Sequence, residues 1–325
     1  MPDHETTELD PQLAAVVADI EAEGVPEWHA MSVDCGRRVE DEVFTSDERA
    51  DVEFVRDYAF DGPHGDVPVR VYRPSDETIA TPAPTLVFYH GGGWTLGTLD
   101  SADDICRNLA RRVGGVVVSV DYRLAPEHPF PAGLDDAYAA LKWAAENAET
   151  FGGDGSRLVV AGTSAGGNLA AAVALRAREF DGPDVAHQAL FYPITDYAFD
   201  TDSYAENADG PLLTRADMEW FWAQYLRSPV DGANPYASVL HTSESVLSEL
   251  PPATVVTAGF DPLRDEGIAY AERLAAAGVD VDHQHHSTMT HGFLSLTDSV
   301  DVADEAFDAV AERLRASVGV GGGDE

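Results

Sequence analysis

Ser164 stands in Gly162-Thr163-Ser164-Ala165-Gly166, a G-x-S-x-G frame that directly follows the apolar run 158–161 and directly precedes an alanine-rich helical run at 167–177. Between a strand and a helix, this frame puts a serine on a sharp turn with its hydroxyl exposed at the sheet's end, and the flanking glycines leave the crossing backbones room. The chemistry implied is attack by the hydroxyl on an acyl carbon. A second glycine run, His90-Gly91-Gly92-Gly93-Trp94, follows the apolar stretch 85–89. Successive glycines let main-chain N–H groups turn toward a tetrahedral oxyanion with no Cβ in the way. The rival use of either loop, cradling a nucleotide phosphate, has no GK[ST] or G-x-G-x-x-G frame behind it. His90, at a strand end facing its own loop, reads as a loop-ordering residue that hydrogen-bonds backbone.

A serine nucleophile needs a base and an acid to orient that base. Asp261, in Gly259-Phe260-Asp261-Pro262-Leu263-Arg264-Asp265, follows the apolar run 254–258 and would lie on the same rim as Ser164, with Asp265 as its rival. Asp261 also suits a plain helix N-cap with Pro262 behind it. Eleven histidines compete for the base. His291 comes after the last strand, beside the flexible Gly292, and so is placed to reach over the sheet's carboxyl edge. His283, His285 and His286 fall in or at the end of that strand and are expected to face solvent, and His241 is distant in sequence. A zinc site built from them lacks HExxH or Cys-His spacing, so no metal is assigned.

These residues need a scaffold, and the chain supplies one by alternation. Strands are predicted at 67–72, 85–90, 115–120, 158–162, 188–192, 254–258 and 279–284, with helices at 103–112, 134–149, 166–180, 266–277 and 302–316 and an antiparallel edge strand at 52–60. Short β-branched runs between helical patterns specify an α/β fold with a mostly parallel central sheet and helices on both faces. Two segments break the alternation: the first fifty residues, with a helix-like stretch at 11–23, and 196–235, where a capping-box pattern at 214–217 opens a run containing Trp220, Phe221, Trp222 and Tyr225. The expected organisation is therefore a segment 1–50, a core at 51–195 and 236–318 interrupted by the insertion 196–235, and a disordered tail at 319–325.

Composition narrows the partners. The 325 residues carry 20 Lys+Arg against 58 Asp+Glu, a formal net charge of −38, which excludes nucleic acid as a partner. A hydrophobic content of 44% separates the chain from disordered acidic polymers. No apolar run approaches the ~20 residues of a bilayer span. The first thirty residues hold no Lys or Arg and show no secretory signal, so a cytoplasmic location is expected. Cys35 and Cys106 cannot frame a fold and read as free thiols. Of the basic residues, only Lys142 is a lysine. Adaptation to molar salt and an acidic face for a cationic partner both fit that excess. Its spread along the whole chain favours salt.

With Ser164, the glycine loop, Asp261 and His291 in place, the chain from about 67 to 291 resembles the hormone-sensitive-lipase-type esterases of the α/β-hydrolase fold. The stretch Asp121-Tyr122-Arg123-Leu124-Ala125-Pro126-Glu127-His128-Pro129-Phe130-Pro131 is similar to a family segment after the fourth strand and reads as structural. The resemblance implies Ser164 as nucleophile, His291 as base, Asp261 as acid and Gly92, Gly93 and Ala165 as oxyanion donors. It further implies that segments 1–50 and 196–235 form a helical cap, with Trp94, Trp220, Trp222 and Tyr225 as candidates for the apolar wall of an acyl pocket. Thr163 stands where many relatives carry Asp. The expected activity is hydrolysis of short- to medium-chain carboxylic esters, small-molecule substrates, with no cofactor. An amidase or peptidase using the same triad and a non-catalytic ligand-binding relative are the alternatives, and the oligomeric state, a homo-oligomer included, is left open.

Overall fold

The structure, a computed structural model, describes residues 8–45 and 49–320, apart from the side chain of Phe44. The eight strands are β1 (Phe54–Gly62), β2 (Gly65–Arg73), β3 (Pro84–Tyr89), β4 (Val116–Val120), β5 (Asp154–Thr163), β6 (Val185–Phe191), β7 (Ala253–Phe260) and β8 (Val281–Thr290). They form one sheet in the order β1-β2-β4-β3-β5-β6-β7-β8. β1 pairs antiparallel with β2 and β2 antiparallel with β4, and every later pairing is parallel. β3 and β4 are buried along their whole length, which is why they read as mostly apolar runs without alternation.

The helices are α1 (Pro11–Ala22), α2 (Val33–Phe44), α3 (Asp103–Val113), α4 (Ala132–Asn147), α5 (Ala165–Glu179), α6 (Asp202–Glu206), α7 (Arg215–Tyr225), α8 (Glu244–Leu247), α9 (Arg264–Ala276) and α10 (Asp301–Ser317). Residues of α4, α5 and α9 fill the core on one face of the sheet, and those of α1, α3 and α10 fill the core on the other. The chain is therefore an α/β sandwich of three layers, as its alternation requires.

Of the residues that break the alternation, α1 packs on the sheet, while the segment after it meets the insertion. Residues 196–235 run between β6 and β7 and contain α6 and α7. The Thr214 side chain accepts from the Asp217 amide while Asp217 accepts from the Thr214 amide, the reciprocal cap its sequence announces. Asp217 also accepts from the amide of His29 at 2.9 Å, and the Trp28 indole donates to the Leu212 carbonyl at 3.1 Å. The N-terminal segment and the insertion are thus joined by partly buried hydrogen bonds.

Three expectations need correction. The last strand continues to Thr290 rather than ending near 284, because the polar residues Gln284 to His286 and, past an irregularity, Thr290 still pair with the buried β7 on one side. Within it His283 and His285 face outward, but His286 is half-buried against the Phe293 ring at 5.2 Å. Gly319 and Val320, expected in a loose tail, instead close α10 through hydrogen bonds from their amides to Ala316 and Arg315. The rest of that tail, 321–325, lies outside the described residues, as do 1–7 and 46–48 of the expected first segment.

Candidate active site

β5 and α5 meet at Ser164, whose φ of 55° and ψ of −117° lie in a region that non-glycine residues seldom occupy. Its neighbours explain how the turn is tolerated. A Cβ on Gly166 would lie 1.9 Å from the Tyr89 carbonyl oxygen, and one on Gly162 would lie 2.3 Å from the Gly166 carbonyl. The serine amide donates to Phe191 at 2.8 Å, and its carbonyl accepts from Asn168 and Ile194. Held on both sides, the strained residue sits at the mouth of the helix with the Ala165 amide in the first turn, where helical geometry gives an N–H no intrahelical acceptor.

His90-Gly91-Gly92-Gly93 leaves the end of β3 beside it. Gly92 and Gly93 take φ values of 94° and 56°, and a Cβ on Gly93 would fall 2.1 Å from the Phe221 ring. The Gly92 carbonyl accepts from the Thr95 and Leu96 amides, and the Thr95 hydroxyl donates to the Gly93 carbonyl at 3.0 Å. With carbonyls tied back into the loop's own turn, its conformation is set before any ligand arrives. His90 contributes in the way its position suggests: Nδ1 donates to the Gly91 carbonyl at 2.8 Å, and the ring stacks on Tyr122 at 4.3 Å. Burial pushes its pKa down to about 4, so it is neutral at physiological pH.

β7 ends at Phe260 and delivers Asp261, and β8 ends at Thr290 and delivers His291. His291 Nδ1 is 2.8 Å from Asp261 Oδ2, and Asp261 is 1% exposed. The other carboxylate oxygen, Oδ1, accepts from the Leu263 amide at 2.8 Å. The reading as an acid partner is met, but the N-cap reading is not: α9 begins at Arg264 with Leu263 at its N-cap, and the Asp261–Leu263 bond closes the turn that precedes it. Asp265 points elsewhere, accepting from Arg264 at 2.8 Å and from the Ser203 amide at 2.7 Å. Burial alone would raise its pKa, but these donors outweigh burial and lower it. The edge of the Tyr192 ring lies against His291 at 4.8 Å, and the Thr290 hydroxyl donates to Phe260 and Pro211, pinning the loop that carries the imidazole.

Ser164, His291, Gly91, Gly92 and Gly93 line one cleft, which encloses about 820 Å³ with its open mouth included. Its walls come from Phe88, Leu96, Ala102 and Ile105 of the core, from Trp28 and Glu40 of the N-terminal segment, and from Leu212, Leu213, Met218 and Phe221 of the insertion. The four aromatic residues expected in that wall are not among its lining residues. Trp94 stacks flat on Tyr225 at 3.9 Å and against Trp222 at 4.7 Å, all three being buried, and Trp220 sits half-buried with its ring edge on Phe221. These large rings hold the insertion to the glycine loop. Met218 and Phe221, three residues apart on α7, are what reach the cleft. Their helical spacing is readable in sequence, but which face of α7 looks inward depends on its docking angle.

Among the described residues no group of three or more His, Cys, Asp or Glu could hold a metal ion, and no helix is long and apolar enough to cross a membrane. His283 Nε2 and His285 Nδ1 each lie 2.9 Å from the Thr257 hydroxyl.

Residues 86–295 match a family model described as alpha/beta hydrolase fold. The chain is 47% identical over 242 residues to a carboxylesterase, NlhH, of Mycobacterium tuberculosis, covering 74% of this chain and 75% of that one. It is 37% identical over 317 residues to an ethyl acetate hydrolase of Pseudomonas putida, covering 94% and 98%. A solved ester hydrolase from the metagenome of Lake Arreo superposes with a TM-score of 0.89 at 38% identity, covering 96% of this chain and 100% of that one. The family match and these relatives lead to one conclusion: the chain belongs to the α/β-hydrolase fold family and is an enzyme of its carboxylesterase group.

Proposed function

We propose that the protein hydrolyses short- to medium-chain carboxylic esters through an acyl-enzyme on Ser164. The observation that carries this reading is the 2.8 Å contact of His291 Nδ1 with buried Asp261, with His291 and Ser164 on one cleft. Asp261 holds the imidazole with Nδ1–H donating, which leaves Nε2 free to act as base. The Ser164 hydroxyl attacks the ester carbonyl as His291 takes its proton, and the carbonyl oxygen becomes an oxyanion held by the amides of Gly92, Gly93 and Ala165. As the tetrahedral adduct collapses, the C–O bond to the alcohol breaks and the alcohol leaves with the proton from His291. Water then attacks the acyl-enzyme, again with His291 as base, and the carboxylic acid is released.

A cleft with mostly apolar walls beside Ser164 suits a short apolar acyl or alkyl group. The ethyl acetate hydrolase among the relatives points to the same range. The Lake Arreo neighbour is complexed with a bipyridine phosphonate derivative, and a phosphonate ester is accordingly the probe of choice. Incubation with a p-nitrophenyl alkylphosphonate should release p-nitrophenol once per chain and leave the phosphonyl mass on the peptide containing Ser164. Labelling of any other residue, or none while esters are still turned over, would refute the assignment. We further propose that the charge of −38 reflects adaptation to high salt.

A further inference from the structure

Ser32 caps α2 by accepting from the Cys35 amide, and in the last turns of that helix Glu40 is buried, 7% exposed, and lines the cleft that holds Ser164. Its Oε2 has no hydrogen-bond partner among the described residues. The donors near the carboxyl are the Ser101 hydroxyl, itself on the cleft, and the Gly97 amide. Among the described residues no cation offsets it: Arg37, one turn earlier, is bound to Glu127, and the charged neighbour that acts on Glu40 is Asp41, which repels it. Burial, reinforced by Asp41, raises its pKa to about 7. Its carboxyl thus has these two donors and no ion-pair partner among the described residues, while Glu40 itself lines the cleft that holds Ser164.

We propose that Glu40, with Ser101, forms a polar subsite that selects esters bearing a hydroxyl group on the part of the substrate that reaches α2. The proposal rests on the ester-hydrolase reading above and specifies its substrate class. An alkyl group there leaves Oε2 buried and unpaired, the costly case for a polar atom. A carboxylate would be repelled, and an ammonium would have to leave water for a cleft walled by Phe88, Leu96 and Ile105. A hydroxyl fits either protonation state, donating to the ionised carboxylate or accepting from the protonated acid. Sites built to bond a substrate hydroxyl discriminate against its absence more sharply than apolar pockets discriminate a methylene.

The test compares kcat/KM for paired esters in two arms, since the hydroxyl could sit on either side of the ester bond. The acyl arm sets p-nitrophenyl 3-hydroxybutyrate against p-nitrophenyl butyrate, and the alcohol arm sets 3-hydroxypropyl butyrate against propyl butyrate. Wild type should favour the hydroxylated member of one arm by about ten-fold. Glu40→Leu should abolish or invert that ratio, while Glu40→Gln, which still donates and accepts, should keep most of it. Absence of a hydroxyl preference in both arms of the wild type would overturn the proposal, whatever the variants do. So would a Glu40→Leu enzyme slowed equally on both members of each pair, the mark of a merely structural residue. Wild type that turned over none of the four esters would remove the ester reading itself, and this proposal with it.

Discussion

The imidazole of His291 and the carboxylate of Asp261 meet at 2.8 Å although thirty residues separate them, and the carboxylate divides its work. Oδ2 faces His291 while Oδ1 accepts from the Leu263 amide, so the turn that starts α9 also fixes the angle at which the acid presents itself. Asp265 spends its oxygens on Arg264 and Ser203 instead, joining α9 to the insertion.

That division makes the two acids separable. Asp261→Asn should lower kcat by about 10³-fold or more, because an amide cannot hold the imidazole in the required tautomer, and Ser164→Ala or His291→Ala should do the same with no further loss in combination. Asp265→Asn should cost thermal stability and change kcat by less than about ten-fold. Steady-state kinetics with a chromogenic ester, alongside circular dichroism of each variant, checks the ranking. A greater loss from Asp265→Asn would move the acid.

Some of this arrangement is legible in the chain and some is not, for physical reasons. Ser164, the glycine loop and Asp261 lie in turns whose local backbone demands leave a signature within five residues. The α/β alternation is readable because buried central strands such as β3 and β4 are mostly apolar, with Thr85 and Ser119 as small polar exceptions. β8 runs longer than its apolar pattern because an edge strand with one half-exposed face tolerates His283, Gln284 and His285, and polarity there looks like a chain end. Trp94, Trp222 and Tyr225 lie away from the cleft because ring size signals burial without saying against what, and only the docking of α7 on the glycine loop decides that they face each other. Glu40 carries no sequence signature: its role comes from contact between α2 and the loop around Ser101, more than fifty residues away.

Gly93 couples the glycine loop to the cleft wall. With φ at 56° and the Phe221 ring 2.1 Å from where a Cβ would sit, Gly93→Ala must displace either the loop or the ring. Loss of one oxyanion donor costs about 10²- to 10³-fold in kcat, so a loss in that range with little change in melting temperature is expected. Phe221→Ala should restore part of the activity of Gly93→Ala by making room. No rescue would mean that the backbone angle, not the ring, limits the variant.

Arg37 ties α2 to the core: its guanidinium is bidentate on Glu127 at 2.8 and 2.7 Å and donates to the carbonyls of Thr95 and Ala125. The Arg37 hydrogen bonds hold the Glu127 pKa at about 2, below its ordinary 4.5. Since the folded value is the lower one, the pair stabilises the fold above about pH 4.5, and that contribution is lost as pH falls toward about 2. Glu127 is half exposed, so solvent screening keeps the gain to about 1 kcal/mol or less. Glu127→Gln should therefore melt about 2 °C lower at neutral pH, with the gap narrowing below pH 4. Arg37→Leu should lose more, because it also frees two carbonyls. A gap that widens on acidification would contradict this assignment.

Salt should govern the whole molecule. The arginines are already committed where the structure concentrates charge: Arg70 to Asp57, Asp100 and Asp103, and Arg112 to Asp304 and Asp308. With 20 basic residues to 58 acidic ones, most carboxylates have no such partner to share and repel one another across the surface. Raising ionic strength shortens the Debye length from ~10 Å at 0.1 M to ~3 Å at 1 M, which silences all but nearest-neighbour repulsion. The melting temperature and the half-life of activity should both rise with KCl up to the molar range, and dilution into low-salt buffer should inactivate the enzyme. Because surface ion pairs weaken over the same range, a protein stabilised chiefly by its salt bridges would melt earlier as salt is added. A rising curve thus shows that repulsion among the carboxylates outweighs attraction within the ion pairs, while a curve flat between about 0.1 M and about 2 M would defeat the salt-adaptation reading and leave the hydrolase chemistry untouched.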